Sequence, residues 1–533
     1  MSGNMLQRIV RGTAVISLFT LAGKALGFFQ KLVMARLFGT GMEADAYTVA
    51  YSSIVFTFCI IPHKLMAPFL PLFSERRNRE GEISAWAFAS SVATLLAVSM
   101  AAIAALAAWG APWLVAAASD FRSPETGALA VRLVRIMLPS AIFASLFSLA
   151  TLALHADKRF APPALADFLN KTVLILALLA LARAMGIAGA AIAVVAGSFS
   201  GLMLAAGALR RNLHMLRFSV DWTDPMLKEL GRLVPPVLAS ILVAQIRTVL
   251  DYRFASQMGE GYASSLGYAR ALPDTLMLIV PFAVGIVIYP FMSDMASDKS
   301  PSRQTALFMA SMKAMALIFV PVSILMIVLR EPLIQLAFQR GRFNASSVAL
   351  TAQPLLYYSM GLTSLAMEII LMRFYFSLKD TATPAVVGIA GVVVHVGIVL
   401  MLRDAMLHNS IALATTVSKT LKVAALYLLV RNRLALTDAG RFRFTAKLCG
   451  AAAAMLAAVL LVDSLATHLI PSSHGARPVL LSLAVRLGTV SCSGLVAFCA
   501  AAWLLKMEET RLVISALWRR MTSREAGPDN IRG

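Results

Sequence analysis

The chain has 533 residues, 59% of them hydrophobic and 14% charged, with a mean hydropathy of +0.77. Soluble domains contain about 45–50% apolar residues, so a water-soluble enzyme of this size is excluded and a bilayer is the natural solvent. The formal net charge of +21 sits in short loops between apolar runs, which argues for membrane topology and against a nucleic-acid partner.

A hydrocarbon core about 30 Å thick is crossed by about 20 apolar residues in a helix. Apolar runs bounded by charged, Gly or Pro positions predict helices at 13–36, 44–72, 84–116, 128–154, 161–182 and 186–209. A second group is predicted at 233–256, 263–292, 304–330, 350–377, 383–402 and 409–430, and a last pair at 445–467 and 478–505. The expected fold is an all-α polytopic membrane protein of about fourteen transmembrane helices. The first run carries Lys24 and Lys31 with no small-residue cleavage site behind it, so it reads as a retained helix rather than a signal peptide. Cys59, Cys449, Cys492 and Cys499 lie in apolar runs without ligand or pairing spacing and read as small core hydrophobes.

An even number of crossings puts both termini on one side, and Lys and Arg accumulate in cytoplasmic loops. Arg76, Arg77, Arg79, Lys158, Arg159, Arg210, Arg211, Arg217 and the basic tail fall on the side of the termini. The other side has only Arg36, Arg122, Arg183, Arg340, Arg342, Arg403 and Arg477. Both ends are therefore expected in the cytoplasm. Residues 211–230 and the tail around Leu512, Leu517 and Trp518 mix apolar anchors with basic residues, as helices lying on a membrane surface do.

Two echoes suggest an internal repeat. Phe38-Gly39-Thr40-Gly41 returns as Met258-Gly259-Glu260-Gly261, and Asp157-Lys158-Arg159-Phe160-Ala161-Pro162 returns as Lys379-Asp380-Thr381-Ala382-Thr383-Pro384. The reading is two parallel six-helix lobes, 1–230 and 231–435, followed by a helix pair and basic tail over 436–533. Parallel repeats of this kind place a substrate cavity at the lobe interface and work by alternating access.

Ionisable groups inside a bilayer cost about 2.5–3.5 kcal/mol each on insertion scales and usually face a cavity or a partner. The first helix has Lys24 and Lys31, seven apart on one face, and the second has His63 and Lys64. The seventh has Arg247, Asp251 and Arg253; the eighth has Arg270 and Asp274. Arg247–Asp251 and Arg270–Asp274 have the i,i+4 spacing of mutually neutralising pairs, whereas the first-helix lysines have no acidic neighbour on their own helix. A central cationic cavity follows, suited to an anion such as a lipid-linked diphosphate. Lys313, Lys419 and Lys422 read as snorkelling residues, Glu368 and Arg373 as an imperfect pair, and His395 as a packing residue.

There is no Walker-type phosphate loop, no His/Glu metal motif and no nucleophile elbow. The chain reads as a transporter without cofactor or metal, driven by a gradient, the membrane potential or downstream consumption of its product.

These residues resemble the lipid II flippase family MurJ/MviN of the multidrug/oligosaccharidyl-lipid/polysaccharide exporter superfamily. The resemblance rests on Gly27-Phe28, Ala35-Arg36-Leu37-Phe38-Gly39-Thr40-Gly41, Ala44-Asp45-Ala46-Tyr47, Phe69-Leu70-Pro71, Tyr268-Ala269, Phe338-Gln339-Arg340-Gly341-Arg342-Phe343, and Phe374-Tyr375 with Asp380 and Thr383-Pro384. It implies a fourteen-helix transporter of the bacterial inner membrane that flips undecaprenyl-diphosphate-linked glycan outward. By resemblance, Lys24 stands where the family has a cavity arginine, and Asp45 matches an acidic position. The chain departs from the pattern at Gln30, at Phe58–Lys64, at Arg270-Ala271 and at His395.

The candidate substrate-binding set is therefore Lys24, Lys31, Asp45, Lys64, Arg247, Asp251, Arg270 and Asp274. The expected partners are a polyprenyl-diphosphate-linked glycan, membrane lipids and the cell-wall or polysaccharide synthesis machinery, acting on a monomer. Lipid II is the first reading of the glycan and an exopolysaccharide precursor the second. A multidrug exporter is disfavoured because a cationic drug calls for acidic cavity residues, and a non-transporting scaffold ranks lowest.

Overall fold

The computed structural model describes residues 3–66, 68–277, 301–378, 380–434, 439–469 and 476–507. Helix occupies all fourteen predicted segments within these limits. The tail reading around Leu512 and the span from 278 onward in the eighth segment lie outside the described residues.

The first segment is one long helix, α1 (Gly3–Phe38). The second is broken into α2 (Met42–Thr48), a π-helical stretch (Val49–Val55), α3 (Phe56–Leu65) and α4 (Phe69–Glu80). The third is α5 (Glu82–Trp109), continued after Gly110 by α6 (Ala111–Ala118). The fourth is split at Leu138 into α7 (Pro124–Met137) and α8 (Pro139–Ala156), because Pro139 has no N–H to continue the ladder. The hairpin α9 (Ala161–Met185) and α10 (Ile187–Ala208) follows.

Next come α11 (Pro225–Met258), α12 (Tyr262–Met277), α13 (Pro301–Val328), α14 (Arg330–Phe338), and α15 (Ala345–Met360) with α16 (Leu362–Ser377), bent by 46° at Gly361. The last elements are α17 (Ala382–Met406), α18 (Asn409–Leu434), α19 (Ala439–Leu469) and α20 (Ala476–Leu504).

Among the described residues ten helices are long and apolar enough to span a membrane, or eleven with α15–α16 counted as one bent span. The expected fourteen is thus not reached by that measure. The first, seventh and eighth segments, absent from the eleven, are the ones that carry Lys24 and Lys31, Arg247 and Asp251, and Arg270 and Asp274.

The chain divides into two compact units, residues 1–271 with 340–350 and residues 272–339 with 351–533. The first unit takes in the start of the segments that the sequence reading assigned to the second lobe. Its core joins Phe69, Phe73, Trp86 and Phe88, with Phe69 stacked on Phe88 and Phe73 edge-on to Trp86. Small residues set its closest approach: a Cβ on Gly197 of α10 would sit 2.8 Å from the Asn170 carbonyl oxygen of α9. Lipid offers apolar faces as much contact as protein does, so such glycine-lined seams, more than hydrophobic burial, hold membrane helices together.

In the second unit, α13, α19 and α20 meet around Met455, Val459, Val490 and Phe498. Val386, Val393, Leu400 and Met401 on α17 are exposed, the pattern of a lipid-facing surface.

Residues 211–230 were expected to form a helix lying on the membrane surface; residues 225–230 open α11 instead, and 209–224 precede it without a regular helix. The latter form a strap with only a single 3-10 turn, Leu213–Met215. It is tied to α5 by Arg217 N–H and Asp221 N–H donating to Ser90 and Ser91 Oγ, and by Asn212 Nδ2 donating to Glu82. These side-chain acceptors take backbone donors that a helix would have used, which is why the segment stays irregular. Two Thr223 hydrogen bonds hold the exposed Asp221 carboxyl below its usual range. Phe218 and Trp222 nevertheless project outward, 82% and 67% exposed, beside exposed Arg210, Arg211 and Arg217.

Candidate functional site

Within the first unit, three helices bring charge to one region. Lys24 is exposed although it lies in the interior of α1, and His63 and Lys64 are exposed on α3. From α9 come half-buried Asp167 and Lys171. The charges of Lys64, Asp167 and Lys24 all reach His63, and that of Lys171 reaches the Cys59 thiol one turn earlier on α3. His63 Nδ1 is 2.9 Å from Ser148 Oγ of α8, which orients the ring. Exposed ammonium groups in the interior of a helix call for water or an anion beside them.

Asp45 has a different setting. Its carboxylate is 2% exposed and accepts from the N–H groups of Gly261 (2.6 Å) and Ser264 (2.7 Å), capping the start of α12. Around it the two echoed loops meet a third. Glu260 Oε1 accepts from Met42 N–H, Thr40 bonds Ser347, and Arg342 N–H donates to the Arg36 carbonyl. Gly39 and Gly341 have φ of +61° and +63°, and a Cβ on Gly341 would lie 2.3 Å from the Arg36 carbonyl oxygen. The Phe38–Gly41 and Arg340–Phe343 motifs are thus required by an interlock, with an ion pair of Arg342 and Glu43 at 2.8 Å on its rim. Beside them lies a cavity of about 470 Å³ lined by Glu43, Glu260, Arg342 and Ser347 among others.

Of the remaining candidates, Arg247 and Asp251 form the i,i+4 pair at 3.8 Å. Lys31 is half-buried on α1, and Arg270 and Asp274 are exposed on α12, Arg270 in the first unit and Asp274 in the second. The structure groups Lys24 and Lys64; it places Asp45 in the loop interlock.

The second unit holds a cluster that the snorkelling reading missed. Glu368 of α16, 8% exposed, is bracketed by Lys419 and Lys422 of α18, each with Nζ at 2.7 Å. Its partners are these lysines and not Arg373, because i,i+3 on α18 puts both ammonium groups on the face that meets α16. Asp463 and Arg486 pair in bidentate fashion between α19 and α20, at 2.8 and 3.0 Å. His395 is buried, in keeping with a packing role. Asp167 and Lys171 were also missed, although charges inside the apolar run 161–182 are the same kind of sign that drew attention to Lys24.

The sequence profile of the lipid II flippase MurJ family matches residues 34–478. The chain belongs to that family. A lipid II flippase MurJ from Burkholderia cenocepacia is 27% identical over 466 residues, covering 83% of this chain and 88% of the relative. A probable lipid II flippase MurJ from Vibrio cholerae is 26% identical over 479 residues, covering 87% and 91%. Among solved structures, a lipid II flippase MurJ in an inward closed conformation superposes with a TM-score of 0.74 at 21% identity, covering 91% of this chain and 98% of that one. An inward-facing multidrug transporter of the MATE family superposes at 0.65 with 13% identity, covering 79% and 94%. The fold is that of the MurJ family and its superfamily, and the chain is a multi-pass membrane transporter rather than an enzyme.

Proposed function

We propose that this chain flips lipid II, the polyprenyl-diphosphate-linked peptidoglycan precursor, from the inner to the outer leaflet of the bacterial inner membrane. The observation that carries the reading is the cationic face of the first unit, where Lys24, His63 and Lys64 stand exposed on α1 and α3 of a MurJ-family chain. Ammonium groups there replace the water that a diphosphate loses on leaving the cytoplasmic surface. Alternating access then carries the headgroup across while the lipid tail stays in the bilayer. Lys31, Arg247 and Arg270 serve as further contacts along that route, with both termini in the cytoplasm and a monomer as the working unit.

The driving force in this reading is the membrane potential. An anion moving outward from a negative interior gains about 2.3 kcal/mol per charge per 100 mV, so no cofactor or metal is needed. Depletion followed by mass spectrometry of lipid-linked glycans tests the function. Accumulation of lipid II with cell lysis is the expected outcome; normal growth with loss of one secreted polysaccharide contradicts it.

A further inference from the structure

The acidic residue among the cations of the first unit has no role in the reading above. Asp167 sits on α9, which is held in place on both sides. On one side Gly197 and Gly201 of α10 lie against Asn170. On the other, α1 comes so near at Gly23 that a Cβ there would be 3.1 Å from Asp167 Oδ2. Phe19 of α1 stacks edge-on to Phe168 at 5.8 Å and fixes the rotation of the two helices. The carboxylate is therefore set beside the residue that precedes Lys24, and one turn from Lys171 on its own helix.

Its position is costly if the only requirement is anion binding, since a fixed carboxylate repels a diphosphate. A carrier has a second requirement: the empty site must be stable enough to return. Lys24, Lys64 and Lys171 without a counter-charge repel one another when the cargo leaves, and repulsion near a protein surface is several times stronger than in bulk water. A ligand held equally well on both sides of the membrane accelerates nothing.

We propose that Asp167 is the internal counter-anion of the cationic face, balancing the lysines when the carrier is empty and weakening the hold on the diphosphate so that it is released. The idea rests on the flippase reading and concerns this residue alone. It makes Asp167 a residue that sets affinity and turnover in opposite directions, which damage to the fold does not do.

The test uses the purified full-length chain, with undecaprenyl diphosphate binding and lipid II flipping in proteoliposomes as paired readouts. Asp167→Asn is expected to bind undecaprenyl diphosphate about tenfold more tightly, the worth of one screened charge pair near a protein surface, while flipping slows several-fold. Asp167→Glu, which keeps the charge, is expected to stay near wild type in both. Equal or weaker binding by a stably inserted Asp167→Asn overturns the proposal, as does failure of both variants to insert, which makes the residue structural. If the wild-type chain itself does not bind undecaprenyl diphosphate, the flippase reading falls instead.

Discussion

Lys24 and Lys64 stand exposed on α1 and α3. Replacing both with Ala is expected to lower lipid II flipping in proteoliposomes by at least tenfold while leaving insertion and thermal stability within about 1 kcal/mol, because helical backbone bonding does not depend on them. Asp45 behaves in the opposite way. Asp45→Ala leaves the N–H groups of Gly261 and Ser264 without their acceptor, and buried unsatisfied donors cost about 1–3 kcal/mol each, so a large drop in melting temperature is the expected reading. Glu368→Gln strands two ammonium groups near the middle of α18 and is expected to destabilise by about 3–5 kcal/mol, with Lys419→Met in the same chain recovering part of the loss. Equal melting temperatures of single and double variants would argue against that coupling. The sequence named Lys24 as an interior cation because a charge inside an apolar run stands out at once. It did not reveal the Glu368 partners, since the nearer of them lies 51 residues away and both are joined to it only by packing of α16 on α18.

Helix positions were readable at the scale of elements because a bilayer demands a length and an apolar composition that few other folds share. The breaks were less so. Leu138–Pro139 and Gly110 interrupt runs whose hydropathy is continuous, and hydropathy carries no record of backbone direction. The strap at 209–224 escaped for a related reason: its composition is that of a surface helix, and only its serine partners on α5 keep it irregular. Phe218→Ser with Trp222→Ser is expected to leave this strap folded but to reduce quenching of a fluorophore on it by brominated lipids, since the two rings are its outward apolar anchors. On the α9–α10 seam, Gly197→Leu is expected to prevent stable insertion, as its side chain would collide with the Asn170 backbone.

For the molecule as a whole, the proposed driving force is the membrane potential acting on the charge of the cargo. Flipping by reconstituted chain is expected to rise with an imposed potential, negative on the cytoplasmic side, and to fall when the potential is collapsed; a rate indifferent to potential would remove it as the energy source. Single-cysteine variants in a cysteine-free background give the orientation, with position 218 labelled only after permeabilisation and position 344 labelled from outside. The π-helical stretch Val49–Val55 bears on such comparisons between relatives. A π turn holds one residue more than an α turn, so losing one residue there would turn everything downstream by about 100°. His63 and Lys64 would leave the cationic face while every apolar contact type and the net charge stayed the same. A relative one residue shorter at this point would thus share the fold and the composition but present other side chains to the cargo, which makes a gap of one in this stretch a better guide to altered specificity than many substitutions.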